Sequence, residues 1–211
     1  MVDFSELLQG YGRFRQGDWQ KQRARWEQLA QGQSPKVMVI GCSDSRIDPA
    51  QLFDAGPGEM FVVRNVANLV PPFEVDGLHH GVSAALEFAV TQLQVREIIV
   101  LGHGQCGGVA ASLSGRFADK PAGEGGFIAK WMDMLDGPRA RIAAELGDGP
   151  EAVRALELEC VKVSLANLRS FPFVAPREAE GSLKLVGAYF AIADGILHVL
   201  DETDGAFHAA A

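Results

Sequence analysis

Three short runs of purely apolar residues place the strongest limit on how this chain can fold. They are Val37–Ile40, Phe61–Val63 and Ile98–Leu101, and turn-forming residues bound each of them. Such runs are too short for buried helices, and their lack of polar alternation is typical of inner strands in a parallel sheet covered on both faces. We therefore predict an α/β fold with a mostly parallel central sheet.

The remaining segments predict the helices and the edge of this sheet. Apolar residues at helical spacing from Leu78 to Leu93 predict a crossover helix, so that residues 61–101 form one βαβ unit. Further elements are predicted as helices at 107–115, 127–147 and 150–170, a strand at 183–193 and, after the hairpin signal Asp194-Gly195, a strand at 196–200. The sheet would then contain about four parallel strands plus an antiparallel edge strand, flanked by helices.

The N-terminal segment is predicted to be a separate helical arm. We assign residues 1–35 to this arm and residues 36–211 to a single α/β domain. Apolar residues recur at helical spacing on both sides of Gly17-Asp18, but they are too few for the arm to be stable alone. The arm could pack on its own domain or on a partner subunit, where exposed Trp19 and Trp26 would become buried. We keep the partner subunit as the prediction.

The composition argues against several kinds of partner. The chain has 27 acidic and 19 basic side chains, with a formal net charge of -8. Nucleic acids and anionic membranes bind clustered lysine and arginine, so neither is expected as a partner. No stretch approaches the roughly 20 apolar residues that span a bilayer, and the N-terminus does not look like a secretory leader. Three cysteines, an odd number, do not suggest a disulfide framework. We expect a soluble, cytoplasmic protein.

Metal-binding residue types follow two of the predicted strands. Cys42 follows the first apolar run after Gly41, and His103 and Cys106 follow the third. The carboxyl ends of parallel strands share one sheet edge, so these side chains meet if the two strands are neighbours. Two thiolates and one imidazole are typical zinc ligands, and three protein ligands leave a fourth position for water. The third cysteine, Cys160, lies among leucines and valines in a predicted helix and is interpreted as a core residue.

Asp44 and Arg46 are the predicted catalytic pair. They are two residues apart in the loop after Cys42, so a charge-assisted hydrogen bond can hold the carboxylate ionised and oriented. The plainer interpretation is a salt bridge that stiffens the loop. Beside zinc, which lowers the pKa of bound water from about 15.7 towards 7, the carboxylate could orient the resulting hydroxide for attack on a small electrophile.

These motifs resemble the β-class carbonic anhydrases. The resemblance rests on Cys42–Arg46, Gly58–Asn68 and Gly102–Gly108, and it continues more weakly towards the last strands. It implies a zinc cofactor and the reversible hydration of CO2 to bicarbonate and a proton. It also implies a homodimer as the minimal unit, often assembled into tetramers or larger oligomers, with N-terminal helices that embrace the partner subunit.

The plant-like subgroup of that family implies a set of substrate-binding residues. They are Gln33, Phe61, Val66, Phe88, Gly107 and Gly108. The glutamine reaches into a partner's active site in that subgroup, and Phe88 stands where many members have tyrosine. Another subgroup has a regulatory bicarbonate pocket of tryptophan, arginine and tyrosine. The matching positions here are Val39, Arg64 and Phe190, of which two differ, so no such bicarbonate inhibition is predicted.

The sequence leaves alternatives for the proton-shuttle residue and for the function. His79 and His80 are candidate proton shuttles by residue type alone, and His198 and His208 are weaker candidates. The alternatives to a carbonic anhydrase are a related zinc hydrolase acting on CS2 or COS, a non-catalytic zinc-binding paralogue and a thiol redox protein. The redox alternative lacks a Cys-x-x-Cys pair and leaves His103 unexplained.

Overall fold

The computed structural model describes residues 2–75 and 79–210, which fall into two compact units. One unit extends to Ser34 and the other from Pro35 to the C-terminus. No helix in the described part of the chain is both long and apolar enough to cross a bilayer. The predicted start of the crossover helix, at Leu78, lies outside the described residues.

The N-terminal unit contains three helices: α1 (Phe4–Gln16), α2 (Asp18–Lys21) and α3 (Arg23–Leu29). The carboxylate of Asp3 accepts a hydrogen bond from the Glu6 amide, and the Glu6 carboxylate accepts one from the Asp3 amide, which caps α1. Trp26 packs edge-on against Phe14, with ring centroids 5.9 Å apart. The prediction that Trp19 and Trp26 are exposed is wrong, because both are partly buried. Among the helices of this unit, the exposed large apolar side chains lie instead in α1.

The larger unit is built on a six-stranded sheet with the order β2-β1-β3-β4-β5-β6. The strands are β1 (Val37–Cys42), β2 (Met60–Asn65), β3 (Glu97–His103), β4 (Lys184–Ala191), β5 (Ile196–Asp201) and β6 (Ala206–Ala209). The first four are parallel, and the last two are antiparallel. The predicted mostly parallel sheet is confirmed. The prediction included only one antiparallel strand, because the four residues of β6 carry too short a pattern to identify.

Seven helices of this unit are labelled in chain order. They are α4 (Pro49–Leu52), α5 (Gly81–Glu87), α6 (Gly107–Leu113), α7 (Gly126–Met132), α8 (Asp136–Leu146), α9 (Pro150–Leu168) and α10 (Ala175–Ala179). The predicted crossover helix consists of α5 and a π-helical turn at Phe88–Gln92. The single helix predicted at 127–147 is wrong, because a 3-10 turn at Asp133–Leu135 separates α7 from α8. Pro138 then lies in the first turn of α8, where a missing amide proton is tolerated.

Helix α9 packs unusually close to the sheet. A Cβ atom added at Gly102 would lie 2.7 Å from Val161 Cγ2, so no larger residue fits there without movement. Val161 and Leu165 join the apolar core that includes Ile98 and Val100 of β3. The preceding turns of α9 are consequently held beside the carboxyl end of β3, where the predicted metal ligands lie.

Candidate metal centre

The structure brings the three predicted metal ligands together. Cys42 ends β1, His103 ends β3, and Cys106 precedes α6. Because β1 and β3 are parallel neighbours, with Gly41 opposite Leu101, their carboxyl ends lie side by side. The two sulfur atoms are 4.0 Å apart, and the candidate ligand atoms of all three residues lie within 4.8 Å of one another. All three side chains are buried.

One ring nitrogen of the His103 imidazole has a hydrogen-bond partner, and the other has none among the described residues. Its Nδ1 lies 2.9 Å from the Gly104 carbonyl oxygen, so this nitrogen carries the proton and donates it. Its Nε2 is buried and has no hydrogen-bond partner among the described residues. A buried nitrogen lone pair without a partner is costly unless something binds it. A cation held between this nitrogen and the two sulfurs fits that requirement.

The two thiols of the cluster differ in the direction of their pKa shifts. A hydrogen bond from the Cys106 thiol lowers the pKa of Cys42, and the same bond together with burial raises the pKa of Cys106. One thiolate is therefore favoured without a metal, and the second proton must leave when a cation binds both sulfurs. Soft thiolate and imidazole donors in this number suit Zn²⁺.

Asp44 is held beside the cluster by Arg46. Its Oδ1 accepts hydrogen bonds from the Arg46 amide and Nε, both at 2.9 Å, and its Oδ2 accepts one from Nη2 at 2.7 Å. This pairing holds the pKa of Asp44 well below its usual range. The same guanidinium donates to the Gln105 carbonyl at 2.9 Å and so connects the two ligand-bearing loops. Asp44 Oδ2 lies 4.0 Å from His103 Nε2, which places an ionised carboxylate next to the cluster.

Arg64 braces the loop that carries Cys42 and Asp44. Its Nε donates to the Cys42 carbonyl at 2.9 Å, and its Nη2 donates to the carbonyls of Asp44 and Ile47, both at 2.6 Å. The sequence suggested a role for Arg64 only through the regulatory pocket of another subgroup. Its contacts show a structural part in shaping this loop, and sequence spacing offers no signal for them because Arg64 lies on β2.

Glu157 and Tyr189 form a second buried polar group behind the cluster, and the sequence analysis missed both. One Glu157 carboxylate oxygen accepts a hydrogen bond from the Cys106 amide at 2.8 Å, and the other accepts one from the Tyr189 hydroxyl, also at 2.8 Å. Glu157 is 3% exposed, and burial raises its pKa. The available signal was an acidic residue on the buried side of α9, one turn before Cys160 and Val161.

Comparisons with known proteins agree with this geometry. Residues 37–197 match the family model described as carbonic anhydrase. The fold also matches one of two tetrameric β-carbonic anhydrases from Sordaria macrospora, with a TM-score of 0.80 and 30% identity, covering 93% of this chain and 96% of that one. The chain belongs to the β-class carbonic anhydrases. The β-carbonic anhydrase CcaA matches with a TM-score of 0.90 and 29% identity, covering 98% of this chain and 92% of that one.

A plant member of the β class provides a comparison in sequence. The mitochondrial β-carbonic anhydrase 6 of Arabidopsis thaliana is 36% identical over 193 residues, which is 90% of this chain. This chain spans 64% of the length of that relative.

The predicted substrate residues of this β-carbonic anhydrase lie in several places. Phe61 and Phe88 are in contact, with ring centroids 5.9 Å apart. Val66 lines a cavity of about 440 Å³ with the candidate proton shuttles His79 and His80. A Cβ atom at Gly108 would lie 2.7 Å from Val66 Cγ1, whereas one at Gly107 would meet nothing within 4 Å. Gln33 belongs to the N-terminal unit, so its approach to a substrate stays a prediction.

The other candidate positions are also located. Val39 is buried in an apolar cluster against which Phe190 packs. Among the weaker proton-shuttle candidates, His198 stacks edge-on near Tyr189 at 6.3 Å, and His208 lies 2.8 Å from an Asp204 carboxylate oxygen. Neither contact places these histidines in the candidate metal-ligand cluster. Cys160 is buried, as predicted, and its thiol donates to the Ala67 carbonyl at 2.9 Å.

Proposed function

We propose that this chain is an enzyme that reversibly hydrates CO2 to bicarbonate and a proton, with Zn²⁺ held by Cys42, His103 and Cys106. The observation that carries the proposal is the unpaired, buried Nε2 of His103 between two thiols and beside an ionised Asp44. When bound, Zn²⁺ supplies Lewis acidity that lowers the pKa of water towards neutrality. The membership in the β class supports this assignment.

Asp44 orients the oxygen nucleophile in this proposal. Because Arg46 keeps it ionised, its carboxylate accepts hydrogen bonds and donates none. The attacking O–H group therefore donates to Asp44 and leaves a lone pair directed at the substrate carbon. Arg46 fixes the carboxylate through three hydrogen bonds and holds it in this orientation before substrate arrives.

The apolar residues that the plant-like subgroup implies are proposed to admit CO2 and exclude competing water. Phe61, Val66 and Phe88 offer no hydrogen bonds to solvent, which suits a small apolar substrate. Gly108 lets the main chain approach Val66 closely, since a side chain would collide there. We further propose that Gln33 donates a hydrogen bond to the substrate in a partner subunit's site. A cytoplasmic location stays a prediction from the sequence.

Replacement of Asp44 with asparagine tests the catalytic assignment. The amide keeps the shape but can donate to the nucleophile and lacks the charge, so kcat/KM for CO2 hydration should fall about 10–100-fold while the zinc content stays unchanged. Stopped-flow hydration assays on zinc-loaded protein measure the rate, and metal analysis measures the zinc. An unchanged rate would exclude the proposed role of Asp44.

The same assay separates the alternative functions. A non-catalytic paralogue would show no hydration by the wild-type chain, and a hydrolase for CS2 or COS would act on those substrates in preference to CO2. A thiol redox protein would use Cys42 and Cys106 as redox thiols and would not need the metal. No contact in the described residues favours any of these over CO2 hydration.

We also propose that the N-terminal unit packs on a partner subunit, which makes a homodimer the minimal assembly. Helix α1 exposes Phe4, Leu7, Leu8 and Tyr11, which recur at helical spacing and form one apolar face. The Nε1 of Trp26 is buried and lacks a hydrogen-bond partner in the described part of the chain. The Sordaria relatives are tetrameric, which is compatible with assembly from dimers.

Charged substitutions on this face test the dimer. The double variant Leu7→Asp/Tyr11→Asp places two carboxylates where an apolar contact is proposed, and we expect it to elute as a monomer at concentrations where the wild type is a dimer or larger. Light scattering after size exclusion measures the mass. The control Gln9→Asp lies on the same helix at an exposed polar position and should leave the mass unchanged. A dimeric double variant would contradict the proposed interface.

A further inference from the structure

A second cavity lies at the opposite edge of the sheet, where the parallel strands begin. Lys36 directly precedes β1, Arg96 directly precedes β3, and Lys184 is the first residue of β4. Main-chain hydrogen bonds of 2.8 Å run from the Arg96 amide to the Lys36 carbonyl and from the Lys184 amide to the Arg96 carbonyl. Neighbouring strands are about 4.8 Å apart, so three adjacent strands each begin with a cation at the same edge.

Arg177 adds a fourth cation and is held in place by its neighbours. It is partly buried in α10, and its guanidinium donates to the Val90 carbonyl. Its own carbonyl accepts hydrogen bonds from the amides of Ser182 and Leu183, at 2.9 and 3.0 Å. The resulting cavity, of about 590 Å³, is lined by all four cationic residues and by Ser182. This volume is suited to a small ligand.

The charges of this cavity are not neutralised by the chain itself. Glu97 is the only acidic residue that the described part of the chain contributes to its lining. Among the described residues, none of the four cations forms an ion pair with a carboxylate, whereas Arg141, Lys162 and Arg169 on the same unit all do. Four cations without a carboxylate partner therefore line one cavity of a chain whose net charge is -8. Their mutual repulsion would be relieved by a multivalent anion.

We propose that this cavity, which we call the amino-edge cavity, binds a small molecule through a phosphate group. Arginine presents a planar set of donors that matches phosphate oxygens, and two lysines add further charge and donors. A phosphate carries up to two negative charges near neutral pH, so it compensates four cations and one carboxylate better than a monovalent anion does. The small concave site and the acidic remainder of the chain favour a small phosphorylated molecule over a nucleic acid.

The cavity is separate from the proposed catalytic centre. Strands β1 and β3 run from the amino-edge cavity to Cys42 and His103, so the two sites occupy opposite ends of the same strands. Binding here does not depend on zinc or on CO2 hydration. The proposal therefore stands or fails independently of the proposed function.

Calorimetric titration with inorganic phosphate and with pyrophosphate tests the proposal on the whole chain described above. At constant ionic strength set with chloride, we expect saturable binding, tighter for pyrophosphate because it carries more charge. Arg96→Gln and Lys184→Gln should each weaken pyrophosphate binding about tenfold or more, and added salt should weaken it further. The free phosphate arms identify the shared chemistry, and a phosphorylated sugar compared with the same sugar lacking phosphate tests a larger ligand.

The control variant Lys120→Gln removes the same charge from an exposed position outside the cavity. It should bind pyrophosphate as the wild type does. Saturable binding lost in Arg96→Gln and Lys184→Gln but kept in Lys120→Gln supports the amino-edge cavity. The proposal is overturned if the wild type shows no saturable binding, or if all three variants bind with equal affinity.

Discussion

Replacement of Cys42 with alanine should reduce the zinc content from about one ion per chain to nearly none and abolish CO2 hydration. The variant keeps His103 and Cys106 but loses the thiol with the lowered pKa, which is the first available thiolate of the cluster. Two ligands remain where a catalytic zinc site uses three, and burial still disfavours the thiolate form of the remaining Cys106. Metal analysis and competition with a chromophoric chelator measure content and affinity.

Cys160→Ala is the matched control for this prediction. It removes a thiol that is also buried and belongs to the same apolar cluster as Cys42 and Cys106. Its sulfur, however, donates to the Ala67 carbonyl and is not among the grouped candidate ligand atoms. We expect Cys160→Ala to bind zinc fully and to lose only some stability from the cavity it leaves. Stoichiometric zinc with wild-type affinity in Cys42→Ala would remove the basis for the proposed centre.

Most strands of the sheet could be predicted because each of them carries its own local pattern. The apolar runs at residues 37–40, 61–63 and 98–101 lie within β1, β2 and β3. The ligand cluster could be predicted for a related reason, since Cys42 and His103 end strands whose carboxyl ends must share one edge. Strand β6 could not be predicted, because a pattern of four residues is too short to indicate that the chain turns back and pairs with β5.

The support around the cluster was beyond prediction because its contacts join distant parts of the chain. Arg64 reaches three main-chain carbonyls in another loop, and Glu157 reaches the Cys106 amide from 51 residues away. The Glu157 contact depends on how close helix α9 comes to the sheet, which depends in turn on the absence of a side chain at Gly102. Local periodicity gives the direction of a helical face but not the depth at which it packs.

Glu157 gives the second large effect that we expect. In Glu157→Leu, the Cys106 amide and the Tyr189 hydroxyl both lose their acceptor in a buried environment. The loop that carries Cys106 should then be less firmly positioned, and affinity for zinc should fall about 10–100-fold, the usual range for groups that orient metal ligands. Chelator competition measures this affinity without reference to catalysis, and urea unfolding of the metal-free chain separates it from a general loss of stability.

Two further variants distinguish the hydrogen bonds of Glu157 from its charge and its volume. In Glu157→Gln the amide oxygen can accept from Cys106, and the NH2 group can donate to the Tyr189 oxygen, so both contacts survive without a carboxylate. Near wild-type zinc affinity in Glu157→Gln, with an intermediate loss in Tyr189→Phe, is expected if positioning through hydrogen bonds is the cause. Equal losses in the glutamine and leucine variants would instead assign the effect to the negative charge, and wild-type affinity in Glu157→Leu would show that the Cys106 loop holds its geometry without this support.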